Sequence, residues 1–412
     1  MTGQQATEAL HTIFLDQPPS CLQSCPTATD FFVIGTYLLT KDGPETSASP
    51  ESSRSGSLQL FKLNRQSFQI VRAQKIPLAH AVFDLQFCPE DASVFAVALS
   101  TAVVSLYRIE TSIKDRELDV SMHFIENINV GDDMTRLSLY LAWIPAAHTN
   151  KTDSSTAGFA VSFSDGSAAI CPRKNLQTSN INTEEPGTQI CIEGTPIEVW
   201  CLAFDQKTNG QLSLFSGDDF NQVRELTMDS RMDPDLTTMS WQVNDRGKQH
   251  EAGVTFILPL CHIEGATILL TGSYDQFVRV YHYGQRKRVL ASKDLDGGVW
   301  RLKLIKTERH ADATSSNGQE LGAKTSYLVL ASCMHAGARI IRVDHSTFPE
   351  EGEDEWDIQV LTEFTEHTSM NYASDFFMSS AAQGDGEYDI SNLLCVSSSF
   401  YDKRVCVWKP VL

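Results

Sequence analysis

The chain has 412 residues, of which 42% are hydrophobic and 9% aromatic, and 52 acidic against 33 basic side chains give a net charge of −19. This composition is that of a globular protein and excludes a wholly disordered chain. The charge argues against nonspecific binding to nucleic acid, because a protein that binds phosphates needs basic surface to displace their counterions, and it would suit a basic protein partner. The length allows two or three domains, or one large repeat architecture.

The N-terminal sequence and the cysteines bear on the compartment. The first residues, MTGQQATEALHTIF, contain no basic segment followed by an apolar stretch of signal-peptide length. Apolar runs such as 254–260 are far shorter than the roughly 20 residues of a membrane-spanning helix. The ten cysteines are scattered without a Cys-x-x-Cys pair, and most lie in apolar runs, which indicates reduced, buried thiols. The sequence therefore predicts a cytoplasmic protein that does not bind a membrane.

Short stretches of alternating apolar and polar residues, separated by turn residues, predict β-strands along the chain. Two segments align closely, LLTGSYDQFVRVY at 269–281 and VSSSFYDKRVCVW at 396–408. Each predicts a strand, a tight turn at Tyr-Asp, and a second strand that ends in an aromatic residue. This is the pattern of the second and third strands of a WD-repeat blade. Weaker copies recur, so that blades are predicted to end near 61, 107, 171, 225, 281, 341 and 408.

Dividing 412 residues among seven blades gives about 59 residues each, more than the roughly 40–45 of a typical WD repeat. The excess is assigned to polar inserted loops, with disorder expected at 41–56, 227–249, 307–325 and 346–357. Inner strands are predicted at 20–25, 81–88, 136–144, 197–204, 252–258, 298–305 and 372–378.

One strand, at 10–16, is left over before the first blade. It is predicted to complete the last blade beside Trp408, which removes the open edge of that sheet. The sequence therefore predicts an all-β protein, a single seven-bladed WD-repeat β-propeller over residues 1–412.

The standard catalytic and cofactor motifs are absent from the sequence. It has no Gly-x-Ser-x-Gly, no His-Glu-x-x-His and no Walker loop. Cys333-x-His335 lacks the second pair of ligands that a zinc site requires, so no metal and no other cofactor is predicted. Motifs alone favour a noncatalytic scaffold that assembles proteins, the commonest role of this fold.

In a regular WD blade the turn Asp accepts a hydrogen bond from a His in the loop before the blade, and a Ser or Thr two residues before the Asp joins them. His250, Ser273 and Asp275 fit this pattern in the fifth blade. His367 and Asp402 fit it in the seventh. A Ser-His-Asp set also has the composition of a catalytic triad, but the structural interpretation is preferred here.

The sixth blade departs from this pattern, because Cys333 replaces the Ser and His335 replaces the turn Asp. A His cannot fill the acceptor-only role of that Asp. Since residues i and i+2 of a strand face the same side, Cys333 and His335 are expected to approach one another and could act as nucleophile and base. The alternative is a Cys packed in the blade and a turn His exposed to solvent.

The predicted inner strand of the sixth blade opens with Gly-Gly-Val-Trp-Arg at 297–301. Arg301 could bind a carboxylate or a main-chain carbonyl. Trp300, together with Tyr372 at the start of the last inner strand and Tyr401 at the last turn, could form an aromatic box that suits a quaternary ammonium group. The alternative is ordinary aromatic packing between blades.

In their order and spacing, four motifs resemble diphthine methyl ester hydrolase, the WD-repeat family of the diphthamide pathway. They are Thr-Gly-Ser-Tyr-Asp at 271–275, Gly-Gly-Val-Trp-Arg at 297–301, Cys-Met-His-Ala-Gly at 333–337 and Ser-Phe-Tyr-Asp at 399–402. Gly-Thr-Tyr at 35–37 and Ser-Gly-Asp-Asp at 216–219 are also similar to that family. The resemblance spans the chain and is most specific from 250 to 408, but Glu225 stands where the family pattern expects a Trp.

The resemblance implies a carboxylic ester hydrolase. Its members remove the methyl ester from methylated diphthine on translation elongation factor 2, which leaves diphthine for amidation to diphthamide. The modified histidine carries a trimethylammonio group, which the aromatic box would suit, and an acidic chain suits a cationic substrate. The expected partner is elongation factor 2, and the chain is expected to act as a monomer without a cofactor.

Ester hydrolysis needs a nucleophile or an activated water, a base, and stabilisation of the oxyanion. We predict that His335 is the base, acting on Cys333 or on a water, and that Arg301 stabilises the oxyanion or anchors the peptide. Asp219 and His367 are the alternative bases and are predicted to contact the substrate. A methyltransferase is not favoured, because no Gly-rich cofactor loop follows a parallel strand.

Overall fold

A computed structural model describes residues 7–42, 51–114, 117–145, 157–173, 190–193, 196–207, 209–228, 238–240, 249–310, 323–347, 354–378 and 390–412. Within these ranges the chain is nearly all strand, apart from one 3-10 helix at Ile390–Asn392 and the connecting turns. The strands form seven sheets, each built mainly from successive antiparallel neighbours, which are the blades of a seven-bladed β-propeller. The predicted fold class is therefore confirmed.

The middle strands show why the sequence alternates as it does. Val94–Leu99 is buried along its whole length. Phe95 and Val97 enter a core shared with the first blade, whereas Ala96 and Ala98 enter a core shared with the third. A strand covered on both faces reads as a continuous apolar run, and small and large residues alternate to fit the two neighbouring sheets.

The structure groups the sheets into two compact units, here named the four-sheet unit (residues 13–248) and the three-sheet unit (residues 1–12 and 249–412). The single domain predicted over residues 1–412 stays a prediction. N-terminal strand β1 is Ala9–Phe14. In the four-sheet unit the first blade comprises β2 (Pro19–Ser24), β3 (Phe31–Thr36), β4 (Leu38–Asp42), β5 (Glu51–Leu63) and β6 (Ile70–Leu78); the second β7 (Val82–Phe87), β8 (Val94–Leu99), β9 (Val103–Lys114) and β10 (Glu117–Asn129); the third β11 (Ser138–Trp143), β12 (Ala157–Phe163), β13 (Ala168–Arg173) and β14 (Ile190–Glu193); and the fourth β15 (Val199–Gln206), β16 (Leu212–Asp218) and β17 (Val223–Met228).

One further strand, β18 (Thr238–Ser240), follows the fourth blade in sequence but pairs parallel with β14 of the third. In the three-sheet unit the fifth blade comprises β19 (Val254–Ile263), β20 (Ala266–Ser273), β21 (Phe277–Tyr283) and β22 (Arg288–Asp294); the sixth β23 (Arg301–His310), β24 (Lys324–Ser332), β25 (Ala338–Thr347) and β26 (Asp354–Phe364); and the seventh β27 (Ala373–Phe377), β28 (Leu394–Ser399) and β29 (Arg404–Trp408). The seven predicted blade ends all fall in the third strand of a sheet.

The N-terminal strand β1 lies beside β29 and completes the seventh blade, as predicted. The backbone N–H of Ala9 donates to Glu366 Oε1 at 2.8 Å. Arg404 on β29 donates to Glu366 Oε2 at 2.7 Å and to Thr12 Oγ1 at 3.5 Å. One ion pair thus holds the N-terminal strand against a strand nearly 400 residues away.

The predicted loops need a correction, because strands continue into all four ranges. β4 and β5 occupy both ends of 41–56, and β17 and β18 enter 227–249. β23 and β24 reach into 307–325, and β25 and β26 reach into 346–357. The remaining parts of these ranges lie outside the described residues. Polar composition marked the insertions but not the ladders that extend into them.

In the described part of the chain, no helix is long and apolar enough to cross a membrane. All ten cysteines are free thiols, and eight of them are buried. The burial predicted for most of the cysteines is therefore confirmed, with Cys191 exposed and Cys261 half-buried as the exceptions.

Candidate active site

In the three-sheet unit, five aromatic side chains follow one another at the end of the strands where the second and third strands of each blade are joined. The ring centroids of Tyr274 and Trp300 are 5.8 Å apart, and those of Trp300 and Tyr372 are 5.1 Å apart. Phe400 lies 5.5 Å from Tyr372 and 5.0 Å from Tyr401. We call this set the aromatic row. It is a row and not the predicted closed box, since Tyr401 meets Trp300 only through two intervening rings.

The row lies at the surface. Trp300 and Tyr372 are half-buried, while the side chain of Tyr401 is 69% exposed. Burial raises the pKa of Tyr372, and the neighbouring Tyr401 adds to this, so the phenol stays neutral. Neutral aromatic faces at a surface can accept a cation.

Trp300 and Tyr372 each directly precede an inner strand. β23 begins at Arg301, three residues later than predicted, and β27 begins at Ala373. Both aromatic residues therefore belong to the loops that enter the blades, where side chains reach the surface without disturbing the ladder.

The side chain of Arg301 forms hydrogen bonds with main-chain carbonyl oxygens of neighbouring residues. Its Nη1 donates to the carbonyl oxygen of Trp300 at 3.0 Å and to that of Thr255 at 3.3 Å. Its guanidinium carbon lies 4.6 Å from the centroid of the Trp300 ring. These carbonyl oxygens belong to the protein itself, so the predicted role of Arg301 toward a substrate stays a prediction. The arginine therefore covers one face of the indole and fixes its orientation.

The turn of the sixth blade, residues 333–337, contradicts the predicted Cys-His pair. β24 ends at Ser332, so strand alternation does not extend to His335. Instead the Cys333 N–H donates to the Gly337 carbonyl at 2.7 Å, and the Ala336 N–H donates to the Cys333 carbonyl at 2.8 Å. The prediction that Cys333 and His335 share one side of a strand is therefore wrong.

Cys333 and His335 differ in their surroundings. Cys333 is fully buried in the core between the fifth and sixth blades, whereas His335 is exposed. Burial raises the pKa of the Cys333 thiol to about 12. Because the thiolate is the nucleophilic form, a thiol so buried is a packing group at neutral pH. The structure argues against Cys333 as a nucleophile and leaves His335 as the accessible group of the turn.

Two glycines allow this turn to pack where it does. A Cβ at Gly297 would lie 2.3 Å from the carbonyl oxygen of Cys333, and one at Gly298 would lie 2.7 Å from Met334 Sδ. Met334 itself has a φ of 42°, in the left-handed region that non-glycine residues rarely adopt. The Gly-Gly-Val-Trp and Cys-Met-His-Ala-Gly motifs are thus two sides of one contact.

His367 belongs to the interior of the seventh blade. Its Nε2 lies 2.7 Å from Ser397 Oγ, to which Trp408 Nε1 also donates at 3.0 Å. Burial lowers the pKa of His367 to about 4. A buried, neutral imidazole whose Nε2 is already bonded fits the structural interpretation better than that of an alternative base.

The fifth blade repeats this arrangement and corrects the predicted partners. His250 is paired with Thr271 Oγ1 at 2.8 Å, and not with Ser273. The Asp275 carboxylate accepts from the backbone N–H of Glu251 at 2.8 Å, and not from the imidazole. The Ser-His-Asp set is therefore structural, with the hydroxyl supplied by Thr271, two residues before Ser273 in β20.

Asp219 lies in the four-sheet unit, at the turn between β16 and β17. Its carboxylate is exposed and accepts from Trp200 Nε1 at 2.9 Å. Glu225, where the family pattern expects a Trp, accepts from Ser213 Oγ and Lys207 Nζ, both at 2.7 Å. At the end of the third strand of this blade, the ion pair between Glu225 and Lys207 and the hydrogen bond from Ser213 take the place of the expected aromatic residue.

Sequence reasoning missed three members of the site: Tyr274, Met334 and Asn371. Tyr274 stands in the generic Tyr-Asp turn, and nothing in its position marks a functional role. A backbone hydrogen bond joins Met334 and Asn371, and no sequence motif predicts this contact. Within the described ranges no three His, Cys, Asp or Glu side chains come close enough together to hold a metal ion.

The chain is similar in sequence to proteins named diphthine methyltransferase. No family model matches the chain. It is 26% identical over 400 residues to the diphthine methyltransferase of Schizosaccharomyces pombe, covering 97% of each chain. It is 23% identical to that of Saccharomyces cerevisiae, covering 99% of this chain and 100% of the relative, and 24% identical to that of Homo sapiens, covering 89% and 74%. The chain resembles the diphthine methyltransferases along nearly its whole length. The predicted family resemblance is confirmed, although the relatives are named as transferases.

Two solved structures share the fold. A chain of the crystal structure of the mitotic checkpoint complex aligns with a TM-score of 0.54 at 12% identity, covering 100% of this chain and 98% of that one. Sqt1 of Saccharomyces cerevisiae aligns with a TM-score of 0.52 at 11% identity, covering 99% and 100%. At such identities the likeness shows the fold alone.

Proposed function

We propose that this protein is an esterase of the diphthamide pathway. In this proposal it hydrolyses the methyl ester of methylated diphthine on translation elongation factor 2. The relatives are named for an action on diphthine. The observation that carries the proposal is that an exposed histidine, His335, and a surface row of aromatic rings lie at the same end of the strands of the three-sheet unit, where the backbone of Met334 is hydrogen-bonded to the residue before Tyr372.

The aromatic row supplies recognition. Trp and Tyr faces attract a quaternary ammonium group, and each such contact contributes about 0.5–2 kcal/mol depending on its burial. Trp300 and Tyr372, 5.1 Å apart, offer adjoining faces for the trimethylammonio group. The exposed Tyr401 extends the surface toward the protein that carries the modified histidine. The net charge of −19 adds long-range attraction for a cationic substrate.

His335 supplies the base in this proposal. Its imidazole takes a proton from a water molecule while the water oxygen attacks the ester carbonyl. The tetrahedral intermediate then collapses, the carbon–methoxy bond breaks, and the imidazolium returns the proton to the leaving oxygen. Water and ester thereby become carboxylic acid and methanol. Because Cys333 is buried and protonated, this direct attack by water replaces the covalent route.

Arg301 takes a different role from the predicted one. Since Nη1 already donates to two carbonyl oxygens of its own chain, we assign Arg301 to orienting Trp300. Loss of the guanidinium should therefore weaken substrate binding, raising KM more than it lowers kcat. Stabilisation of the oxyanion by Arg301 stays a prediction, and a fall in kcat alone would support it.

The test is methanol release from methylated elongation factor 2 by substoichiometric purified protein. The His335→Ala variant should lose about 10²–10⁴-fold in rate, which is the usual contribution of a general base. The His80→Ala variant is a matched control, because His80 is an exposed histidine of the four-sheet unit. Full activity of folded His335→Ala protein would overturn the assignment.

The names of the relatives favour one second candidate, a methyltransferase. The same samples distinguish the two, since a transferase moves a labelled methyl group from a donor to diphthine and releases no methanol. A noncatalytic scaffold would do neither at substoichiometric amounts. A cytoplasmic location, a monomeric state and elongation factor 2 as partner belong to the proposal.

A further inference from the structure

Asn371 is a fully buried polar residue in the loop that enters the seventh blade. Its side-chain Nδ2 donates to the carbonyl oxygens of Ser398, at 2.8 Å, and Ala373, at 3.1 Å. Its Oδ1 accepts from Ser374 Oγ at 3.2 Å. Both donors and the acceptor of the amide are therefore used inside the blade, which is the condition for burying such a group at low cost.

The backbone of the same loop holds two turns. The Asn371 N–H donates to the carbonyl oxygen of Met334 at 2.9 Å, the residue next to His335. The Phe400 N–H donates to the Met370 carbonyl at 2.9 Å, and the Tyr401 N–H donates to Ser369 Oγ at 2.9 Å. Residues 369–371 thus bind the turn of the sixth blade and the turn of the seventh.

The next residue, Tyr372, sits in the aromatic row between Trp300 and Phe400. A second link runs alongside, because Ser332 Oγ donates to Ser374 Oγ at 3.0 Å and Ser332 directly precedes Cys333. The turn that carries His335 and the aromatic row are therefore linked through the backbone N–H of Asn371, while the side-chain amide of the same residue anchors the loop to the seventh blade.

We infer that Asn371 is a positioning residue of the proposed site, which fixes the turn carrying His335 relative to the aromatic row. This inference rests on the proposed function. An amide of this length is the side chain that offers two donors and one acceptor here: Asp lacks the donors and Ala lacks all three groups. The residue acts through His335 and Tyr372 and does not itself touch the substrate.

The experiment compares Asn371→Asp with Val329→Ala, a buried core substitution in β24 that is away from both turns. Both should lower the melting temperature. Only Asn371→Asp should lower kcat, about tenfold or more, and raise KM. The milder Ser374→Ala variant removes the donor to Asn371 Oδ1. It should also lower kcat and raise KM, by less, and it replaces Asn371→Asp in the experiment if that variant does not fold.

Two further readouts separate positioning from stability. In a His335→Ala background the Asn371→Asp change should have no further effect on kcat, because it acts through the histidine. The fluorescence of Trp300, obtained by subtracting the spectrum of the Trp300→Phe protein, should shift in Asn371→Asp and stay unchanged in Val329→Ala.

The outcomes distinguish the inference from the proposed function. If Asn371→Asp matches Val329→Ala in kinetics and in Trp300 fluorescence, the inference is wrong while the esterase proposal stands. If the wild-type protein releases no methanol, the esterase proposal fails. The fluorescence comparison then still decides whether Asn371 sets the aromatic row: a shift supports it, and an unchanged spectrum overturns it.

Discussion

The fifth and sixth blades differ most at their turns. In the fifth, Asp275 accepts from Glu251 N–H, from Phe277 N–H at 3.0 Å and from Arg279 Nη1 at 2.9 Å. Burial alone would raise the pKa of Asp275, but these hydrogen bonds, the one from Arg279 foremost, hold it below its usual value. The Asp275 carboxylate therefore forms its hydrogen bonds within the blade and stabilises the turn.

The sixth blade lacks this network. Ala331 stands across from Arg339 where Thr271 stands across from Arg279, and the buried Leu295, four residues before Val299, takes the place that His250 has before Val254. Arg339 turns instead to the Ala336 carbonyl, at 2.5 Å, and to Asp296, at 3.3 Å. The turn packs by close backbone approach, so its histidine is left at the surface. Because the turn of the sixth blade is not held by a buried His and Asp, its own histidine, His335, can be exposed to a substrate.

The largest expected effect is on stability. His250→Ala and His367→Ala should each lower the free energy of unfolding by about 2–4 kcal/mol, because each leaves a cavity and removes one hydrogen bond from a buried hydroxyl group. His335→Ala should change it by less than about 0.5 kcal/mol, since His335 is exposed. Urea unfolding curves measure all three. If all three variants lost the same free energy of unfolding, the histidine of the sixth blade would not differ from those of the fifth and seventh blades.

The two glycines of the sixth blade should differ from one another. Gly297→Ala should cost about 1–3 kcal/mol, because its Cβ would meet a backbone oxygen at 2.3 Å. Gly298→Ala should cost clearly less, because the nearest atom is the end of the flexible Met334 side chain. The same unfolding curves serve, and a tolerated Gly297→Ala would contradict the close approach of the two motifs.

Acid should weaken the regular blades in a graded way. Burial lowers the pKa of His250, like that of His367, from 6.5 to about 4. The unfolded chain then binds protons more readily than the folded one, so the free energy of unfolding should decline as the pH falls from about 6.5 toward 4 and contribute no slope above that range. A His250→Asn, His367→Asn double variant should show a smaller decline. An unchanged slope would count against these two residues.

The smallest effect concerns Cys333. Its buried thiol should resist iodoacetamide in the native protein, whereas the exposed Cys191 should react, as mass spectrometry can follow. Cys333→Ala should keep methanol release within about twofold, since in the proposed mechanism water attacks directly. Loss of activity in a folded Cys333→Ala protein would restore the covalent route.

Much of the fold could be predicted from the sequence, because period-2 alternation and the Tyr-Asp turns are local signals. The strand order, the third strands and the N-terminal strand beside Trp408 follow from them. The parallel pairing of β14 with β18 could not be predicted, since three residues far along the chain carry no local mark of their partner.

The site was predicted less well, for two physical reasons. Strand alternation predicts that Cys333 and His335 share one side of a strand, but the strand ends at Ser332 and the chain turns there. Hydrogen-bond partners depend on the register across a sheet, so the sequence pattern predicts Ser273 as the partner of His250, whereas the structure shows Thr271. Trp300 and Tyr372 can be singled out from the sequence because aromatic residues at the entry of inner strands are poorly explained by packing alone. Asn371 was missed because its role is set by main-chain contacts.

The pairing of β1 with β29 also has a consequence for synthesis. Thr12 and Cys406, whose side chains lie 3.5 Å apart, are 394 residues apart in sequence. At roughly 5–20 residues per second, the ribosome would need about 20–80 s after making β1 to make its partner. Throughout that interval the backbone edge of β1 that later pairs with β29 stays unpaired. The nascent chain therefore offers a chaperone a target that the finished seventh blade conceals.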